Sequence, residues 1–500
     1  MPTQKRHNLR LCLFFIFNLA AFSFSGGISA ANVVSTQVNR CVEGGKTKNM
    51  KTIAAIATPA GEGALGVIRI SGENAISIAD NVFFAFSGKK LCDLKGYTAA
   101  YGEIKDGDLR LDDAVALVFR APHSFTGENT VELSVHGGSL MLRQVLRLIL
   151  SKGAVLAEAG EFTKRAFLNG KTDLTKAESI MGLISAANDA QLRLSREAHN
   201  GRTGKKIAEI ESSLTALNAS VSVYSDYPDE DIEDLSIENF SVSLSSAKKA
   251  LEEMLRDYDA GKILREGIAT AIVGKPNVGK STLMNMLSGT QRSIVTEIAG
   301  TTRDIIEESV TVGDIMLRLA DTAGIHETDD TVESIGVEKA KEKILASQLI
   351  LAVFDASKPL DNDDLSLLKI INPENSIIII NKTDIESSID PALFKGFETV
   401  RTSAKNGDGY AALETAIAKI SGTANLRPEA AVLMNERQRD CAKRALDGVE
   451  EALNALNLGC TVDAVGVCID DALAALLELT GKRVTNEVTD EIFRRFCVGK

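Results

Sequence analysis

The chain lacks paired cysteines, internal repeats and low-complexity tracts. Its seven cysteines are an odd number and include no Cys-x-x-Cys pair. This pattern argues against a structural zinc site and is typical of a protein in a reducing compartment. Because 500 residues exceed what one hydrophobic core accommodates, about three domains are expected.

The chain also lacks the positive charge of a general nucleic-acid coat, because its net charge is −12. Residues 1–49 differ from the rest, with six basic residues against one acidic residue, which leaves −17 for the remainder. Any contact with RNA therefore has to come from a local basic patch.

A membrane-spanning run is missing as well. The apolar stretch at residues 11–24 has 14 residues, contains Asn18 and follows a basic start, which is typical of a signal-peptide core. Residues 1–49 are either a start-codon artefact, with Met50 as the true start before the first predicted strand, or a secretory or organellar leader. We favour the artefact, since residues 25–49 show no periodicity, and expect a cytoplasmic protein without stable membrane association.

Residues 50–168 alternate between strand-like and helix-like patterns, which predicts an α+β domain. Strands are expected at residues 53–57, 66–70, 114–119 and 131–135, and a helix at residues 141–150.

Two glycine-rich stretches in this domain imitate known motifs. Gly61, Gly63 and Gly66 spell Gly-x-Gly-x-x-Gly, but a strand pattern follows where a dinucleotide site requires a helix. Residues 136–138, His-Gly-Gly, resemble an oxyanion loop, yet no Gly-x-Ser-x-Gly nucleophile elbow accompanies them. We expect no dinucleotide at the first stretch and a plain turn at the second.

Two helical blocks surround a separate α/β unit. In the first block, Thr175 and Glu178 have the spacing of a capping box at a helix start. An acidic loop at residues 227–231 is interpreted as a solvated connection, because it lacks histidine and regular ligand spacing. The economical interpretation is one helical domain with an inserted domain. The expected segments are the extension at 1–49, the N-terminal domain at 50–168, the helical domain at 169–266 and 426–500, and the insertion at 267–425.

The insertion opens with the most specific motif of the chain. Residues 274–281 read Gly-x-x-x-x-Gly-Lys-Ser, behind a strand-like run and ahead of a helix-like run. This is a phosphate-binding loop, in which backbone N–H groups and a helix N-terminus face phosphate oxygens. We expect Lys280 to reach the β- and γ-phosphates and the Ser281 hydroxyl to ligate Mg²⁺. A glycine-rich turn without a ligand is the less favoured alternative.

Two further elements follow that a GTPase requires near the γ-phosphate. Asp321 and Gly324, in the sequence DTAG, end a predicted strand and suit the Mg²⁺ shell and the γ-phosphate, respectively. Thr301 and Thr302 precede them in a loop where a threonine can sense the γ-phosphate and Mg²⁺ together.

Base recognition is predicted at residues 381–384, Asn-Lys-Thr-Asp, after a fully apolar strand. Asp384 can accept hydrogen bonds from guanine N1–H and the N2 amine. Because adenine offers no such donor pair, a buried Asp384 would be left unpaired, and guanine is preferred. Residues 403–405, Ser-Ala-Lys, are expected to support the base from the backbone.

The residue that usually orients the attacking water is missing. Ile325 and His326 stand where many GTPases carry a glutamine after the DxxG element. A later carboxylate such as Glu333 can replace it, or a monovalent cation held by Asn277 and the loop at residues 296–302 can act against the phosphates. His326 as a base is the competing idea, although an exposed switch-loop histidine is more often inert.

With their flanks, these residues resemble one family over residues 51–500, the MnmE (TrmE) tRNA modification GTPases among the TrmE-Era-EngA-like GTPases. The stretches that carry the resemblance are TPAGEGALGVIRISG at 58–72, FTGENTVELSVHGG at 125–138, GEFTKRAFLNGKTDL at 160–174, IVTEIAGTTRD at 294–304, DTAGIHETDDTVESIG at 321–336 and FCVGK at 496–500. Generic GTPases lack both flanks, so the combination is specific. The departures are Val498 and the extra N-terminus.

The resemblance implies a multidomain fold: an α+β N-terminal domain that binds tetrahydrofolate and dimerises, an all-α helical domain and an inserted α/β P-loop G domain. The folate, a 5-formyl- or 5,10-methylene-tetrahydrofolate, would contact Arg69, Glu132, Lys171 and Lys500. Basic side chains can hold the glutamate-tail carboxylates, and Glu132 can pair with pterin donors. Cys497 matches a terminal cysteine near the folate, as a nucleophile or as a buried thiol, and a non-covalent role is favoured.

The resemblance also implies K⁺-dependent pairing of G domains, in which K⁺ replaces an arginine finger. The implied K⁺ ligands are Asn277, Thr296, Ile298 and Thr301, the Mg²⁺ ligands are Ser281 and Thr302, and the water-orienting catalytic residue is Glu333. The GTP contacts are expected at Asn277, Val278, Gly279, Lys280, Ser281, Thr282, Thr296, Glu297, Ile298, Ala299, Gly300, Thr301, Thr302, Asp321, Thr322, Ala323, Gly324, Asn381, Lys382, Thr383, Asp384, Ser403, Ala404 and Lys405.

The implied function is that of a homodimeric GTPase acting with an MnmG (GidA)-like flavoprotein in a heterotetramer or larger complex. Together they would install a carboxymethylaminomethyl-type group at C5 of the wobble uridine of certain tRNAs, with FAD and NADH on the partner. A ribosome-assembly GTPase of the Era/EngA type is the first rival, but it would need a basic RNA-binding appendage. A folate-dependent methyltransferase with a regulatory G domain is the second.

Overall fold

The computed structural model describes residues 50–186, 188–226, 237–289, 308–319, 344–345, 347–427 and 430–499. The described residues divide into two compact units: one comprises those up to Lys171 together with those from Cys497 onward, and the other comprises those between Thr172 and Phe496. None of the helices in the described ranges is both long enough and apolar enough to cross a membrane.

The first unit is built on a seven-stranded sheet with the order β3-β4-β5-β6-β2-β1-β7. Its neighbouring strands are antiparallel except for the parallel pair β1 and β7. The strands are β1 (Ile53–Ile56), β2 (Leu65–Ser71), β3 (Phe83–Ala85), β4 (Thr98–Asp106), β5 (Leu109–Phe119), β6 (Thr130–His136) and β7 (Val155–Leu156), and the helices are α1 (Ala75–Asp80), α2 (Ser139–Ser151) and α3 (Glu161–Leu168).

Alternation of apolar and polar residues positions this sheet. On β6, Val131, Leu133 and Val135 are buried in the core, whereas Glu132 and Ser134 between them face the other side. The four predicted strands and the predicted helix are confirmed, with boundaries that differ by a few residues at most sites. The Gly-x-Gly-x-x-Gly stretch leads into the strand β2 and not into a helix, as the sequence pattern predicted.

The end of the chain belongs to the first unit. The Gly160 N–H donates to the Cys497 carbonyl oxygen over 3.3 Å, and Val498 bridges Ala159. Gly499 has a φ of +93°, and a Cβ there would lie 2.4 Å from the Ile56 carbonyl oxygen. A residue with a side chain would therefore be strained at position 499.

The second unit contains a helical region around one apolar core. In the helix Glu436–Asn457, the buried residues include Ala442, Leu446, Val449 and Ala452, which recur at helical spacing. The helices are α4 (Leu174–Ser185), α5 (Asp189–His199), α6 (Arg202–Asp226), α7 (Ile237–Glu266), α11 (Glu436–Asn457), α12 (Val462–Thr480) and α13 (Asn486–Arg494). The acidic loop at residues 227–231 lies outside the described residues.

The capping box predicted for α4 is wrong. Asp173 is the N-cap, and its side chain accepts a hydrogen bond from the Lys176 N–H over 2.9 Å. Thr175 lies inside the first turn, and its hydroxyl donates to Asp173. Glu178 instead pairs with Arg437. Asp173 precedes the helix, and its short side chain accepts from the Lys176 N–H, which has no partner within the helix, so Asp173 and not Thr175 is the cap.

The inserted domain is an α/β layer structure with a six-stranded sheet in the order β13-β12-β11-β8-β10-β9. All neighbours are parallel except β9 and β10. The multidomain fold class predicted from the sequence is thereby confirmed. The strands are β8 (Ile268–Val273), β9 (Glu308–Val312), β10 (Ile315–Leu319), β11 (Leu349–Asp355), β12 (Ser376–Asn381) and β13 (Glu398–Arg401), and the helices are α8 (Lys280–Ser288), α9 (Asn362–Ile370) and α10 (Tyr410–Ile420).

Candidate nucleotide-binding site

The loop between β8 and α8 needs glycine at two positions. Gly274 has a φ of +145°, and a Cβ there would lie 2.4 Å from the Val353 carbonyl oxygen. Gly279 has a φ of +99°, and a Cβ there would lie 2.2 Å from Asn381 Nδ2. Side chains are therefore excluded at both ends of the loop, which leaves its backbone free to curl around an anion.

The side chains of this loop suit a phosphate ligand. Lys280 Nζ donates to the carbonyl oxygens of Gly274 at 2.8 Å and Lys275 at 2.7 Å, so the lysine lies across the loop that contains it. Ser281 and Thr282 are exposed in the first turn of α8, whereas Val278 is buried beneath the loop. The helix N-terminus and the ammonium group thus present positive potential on the same side.

Asn381 joins three segments of the site. Its side chain is buried, and Nδ2 donates to the Val278 carbonyl oxygen at 2.9 Å. Its Oδ1 accepts from the Ala404 N–H at 3.0 Å and from the Thr402 hydroxyl at 3.2 Å. One amide therefore fixes the phosphate loop, residues 381–384 and residues 403–405 relative to one another.

Asp384 is exposed, which corrects the expectation that it is buried. It stands in an open loop after β12. The Ser403 hydroxyl donates to Asp384 Oδ1 at 2.7 Å. That bond, with a backbone hydrogen bond and the nearby charges of Lys405 and Lys382, lowers the pKa of the Asp384 carboxyl. The group is an ionised acceptor at neutral pH, so it suits a ligand that presents hydrogen-bond donors.

Lys382 contacts a residue that the sequence analysis did not single out. Its Nζ donates to the Asn277 carbonyl oxygen at 2.7 Å and to Asp355 Oδ2 at 2.6 Å. Asp355 ends β11, beside Asn381 in the adjacent strand. The sequence did contain a signal for Asp355: an acidic residue ends an apolar strand, and such a strand is expected in the centre of a parallel sheet.

The remaining predicted nucleotide and ion residues lie outside the described residues, so nothing is added to their prediction. They are Thr296, Glu297, Ile298, Ala299, Gly300, Thr301, Thr302, Asp321, Thr322, Ala323, Gly324, His326 and Glu333. Within the described ranges, no group of three or more His, Cys, Asp or Glu side chains could hold a metal ion.

A second candidate site lies in the first unit around Arg69. Its Nε donates to Glu132 Oε1 at 2.8 Å, and Nη1 donates to the Gly499 carbonyl oxygen at 3.3 Å. The guanidinium carbon lies 5.5 Å from the ring centre of Phe125 and 5.6 Å from that of Phe162. The structure therefore brings Arg69, Glu132 and the end of the chain together, with aromatic rings beside the cation.

Two other candidates of this site are less closely tied to it. Lys171 Nζ donates to the Pro122 carbonyl oxygen at 3.1 Å. Cys497 is exposed. Lys500 lies outside the described residues.

The parallel sheet, the phosphate loop and the segments 381–384 and 403–405 joined to it define a P-loop GTPase domain inserted in a helical domain. Comparison with known families agrees and is more specific. The family model for the GTP-binding protein TrmE N-terminus matches residues 52–171. The model for the MnmE helical domain matches residues 174–497.

Curated relatives match almost the whole chain. The tRNA modification GTPase MnmE of Clostridioides difficile is 40% identical over 454 residues, which cover 90% of this chain and 99% of the relative. The protein of the same name from Lactococcus lactis subsp. cremoris is 41% identical over 456 residues, covering 91% and 99%. The chain belongs to the family of the tRNA modification GTPase MnmE. A solved G domain, that of the T. maritima FeoB iron transporter, is 23% identical over 31% of this chain and 98% of that domain, with a TM-score of 0.23.

Proposed function

We propose that the chain hydrolyses GTP in the service of tRNA modification, at C5 of the wobble uridine of certain tRNAs, with an MnmG (GidA)-like flavoprotein as partner in the cytoplasm. The name shared by its relatives supports tRNA as the substrate class. The observation that carries the nucleotide part is the buried Asn381, whose amide connects the phosphate loop to the base-recognition segments.

Each described residue of the site has a defined task in this proposal. Lys280 and the N-terminus of α8 bind the phosphates, and Asp384 accepts hydrogen bonds from the guanine edge. Ser403 orients the Asp384 carboxylate through their 2.7 Å hydrogen bond. Because Asp384 is held as an anion, it accepts from guanine and repels the acceptor atom that other bases present there.

The described residues fit the expected ions. Ser281 is exposed in the first turn of α8, so its hydroxyl is available to Mg²⁺. Asn277 has a left-handed backbone with a φ of +63° and an exposed side chain, while its carbonyl oxygen is engaged by Lys382. The amide oxygen of the Asn277 side chain is therefore the atom left for K⁺. When bound between paired G domains, K⁺ supplies positive charge against the phosphates.

The cluster around Arg69 fits a folate with a specific division of tasks. The Glu132 carboxylate already pairs with Arg69 through one oxygen, which leaves its other oxygen to accept from pterin donors. Phe125 is 43% exposed and offers an aromatic face beside the cation. Lys171 and Lys500 complete the proposal as partners for the glutamate tail, and Cys497 stays in a non-covalent role.

Hydrolysis measured with KCl and with NaCl at equal ionic strength tests the nucleotide part. We expect GTP turnover to fall by at least about tenfold in NaCl and in the Asn277→Ala variant. Na⁺ is smaller than the proposed K⁺, and Asn277→Ala removes one of the proposed ligands, so each change weakens binding of a positive charge that no side chain replaces. Turnover that is indifferent to both changes would contradict the proposed ion. Equilibrium binding of a radiolabelled tetrahydrofolate to wild type and Arg69→Gln tests the folate part.

The tRNA part is tested in a strain that lacks the gene. We expect the modified wobble uridine nucleosides to disappear from hydrolysed bulk tRNA and to return when the wild-type gene is supplied. Normal nucleosides together with abnormal ribosome profiles would instead favour a ribosome-assembly GTPase.

A further inference from the structure

Asp355 lies at a crossing point of the inserted domain that the proposed function leaves without a task. It ends β11, the strand between β8, which leads into the phosphate loop, and β12, which leads into residues 381–384. Its side chain is 9% exposed. A carboxylate in this position needs polar partners, because burying an unpaired charge is costly.

The partners of Asp355 form a hydrogen-bond network across the site. Oδ1 accepts from the Ser357 N–H at 3.0 Å and from the Ser357 hydroxyl at 2.7 Å, and Oδ2 accepts from Lys382 Nζ at 2.6 Å. The same Lys382 Nζ donates to the Asn277 carbonyl oxygen at 2.7 Å. Burial alone would raise the pKa of the Asp355 carboxyl, but hydrogen bonds from Lys382 and Ser357 outweigh burial and lower the pKa. The carboxylate is therefore charged when it meets the ammonium.

This network joins the phosphate loop to the loop after β12, and both loops contain a residue with an unusual backbone conformation. Asn277 has a φ of +63° and Lys382 a φ of +65°, and Tyr97 is the third non-glycine residue with positive φ in the described parts of the chain. The left-handed conformation costs roughly 1 kcal/mol for a residue with a Cβ, and lysine has no local hydrogen bond that compensates as asparagine does. The surroundings must hold Lys382 in this conformation.

Asp355 is the charged partner that can do so. Lys382 is 32% exposed, and a lysine side chain with no partner would sample many rotamers. An ammonium already fixed by a carboxylate meets the Asn277 carbonyl without further loss of entropy, which is preorganisation. Asn381 supplies a separate tie to the neighbouring Val278, so loss of the charged tie leaves the fold of the sheet in place.

We propose that Asp355 is a positioning residue for nucleotide binding, which holds the Lys382 ammonium against the Asn277 carbonyl and joins the base-recognition loop to the phosphate loop. The proposal rests on guanine nucleotide being the ligand of this site. It predicts weaker binding with little change in the chemical step, because the contact exists before the transition state forms.

The test compares Asp355→Asn with a matched control in the full-length chain. Asn keeps an oxygen for Ser357 but cannot hold the ammonium as an ion pair. We expect the Kd of a fluorescent GDP and the KM for GTP to rise about tenfold, with kcat within about twofold of wild type. Asp355→Glu, which keeps the charge, should recover part of the affinity.

Asp361→Asn is the control. Asp361 pairs with Lys275 of the same loop and caps α9, and asparagine is an equally good N-cap. We expect its Kd and KM to match wild type. An equal loss in Asp361→Asn, or an unchanged Kd in a folded Asp355→Asn, would overturn the proposal.

A double-mutant cycle with Lys382→Met separates positioning from general destabilisation. If Asp355 acts through Lys382, Asp355→Asn adds no further loss of GDP affinity in the Lys382→Met background. Additive losses would overturn the proposal even if each variant is less stable. Failure of the wild type to bind GDP at all would instead sink the proposed function, so the two failures are distinguishable.

Discussion

The ion pair between Glu178 and Arg437 yields the sharpest stability prediction. The two Arg437 nitrogens Nε and Nη2 donate to the Glu178 oxygens at 2.8 Å each, and Gln438 Nε2 donates to the same carboxylate at 2.5 Å. Their side chains are 5% exposed for Glu178 and 18% for Arg437. Arg437 also donates to the carbonyl oxygens of Glu478 and Leu479 near the end of α12. Three helices are therefore held by one carboxylate and one guanidinium.

Glu178→Ala leaves a largely buried guanidinium whose remaining hydrogen-bond partners are the carbonyl oxygens of Glu478 and Leu479. Breaking a buried pair from one side costs about 3–5 kcal/mol of unfolding free energy. The matched control is Arg193→Ala, which breaks the pair between Arg193 and Asp314, whose side chains are 50% and 54% exposed. An exposed pair contributes about 0–1 kcal/mol. Had Glu178 belonged to a capping box, its loss would cost only about 1 kcal/mol.

Urea unfolding of the full-length variants, followed by circular dichroism at 222 nm, measures the difference because helices dominate that signal. Additional variants divide the effect: Asp173→Ala should lose about 1 kcal/mol through the N-cap. Glu178→Ala and Arg437→Met combined should lose much less than the sum of the single changes. A loss below about 1 kcal/mol for Glu178→Ala, or one equal to that of Arg193→Ala, would refute this account of the buried pair.

Three further predictions concern single side chains. Gly279→Ala should weaken GDP binding about tenfold or more, measured by fluorescence titration, since its Cβ would meet Asn381 Nδ2 at a positive φ. Asp384→Asn should weaken GTP binding by about a hundredfold and favour xanthosine triphosphate, whose base presents an acceptor in place of the amine, in competition assays. Burial raises the pKa of the Cys441 thiol from 9.0 to about 11, so in peptide mapping Cys441 should react with iodoacetamide far more slowly at pH 8 than exposed Cys497. Because the neutral Cys441 thiol is the form favoured by folding, its contribution to stability is present below pH 9 and is lost as the pH rises toward about 11.

Local patterns predicted much of this fold. The apolar and polar alternation on β6 fixed a strand, and the glycine and lysine spacing of the phosphate loop fixed a strand-to-helix turn. Such features depend on residues close together in sequence. The pairing of Glu178 with Arg437 could not be predicted in this way, because the two residues are 259 positions apart in the sequence. A capping box was the nearest local explanation for a glutamate at position 178. The predicted burial of Asp384 was wrong for a related reason: a motif identifies the residue type but does not determine how exposed its loop is.

The nucleotide site could be predicted from motifs because parallel strands bring distant residues to one edge of a sheet. Residues 274–281, Asp355, residues 381–384 and residues 403–405 each follow or end a strand, and β8, β11, β12 and β13 are neighbours in that sheet. Any sequence with those strands places these side chains together. The cluster around Arg69 has no such guarantee, since its hydrogen bond to the Gly499 carbonyl oxygen joins residues 430 positions apart that no shared strand edge brings together. The order of motifs therefore predicts a site where the sheet topology brings their residues to one edge. The contacts of Arg69 could be identified only from the tertiary structure.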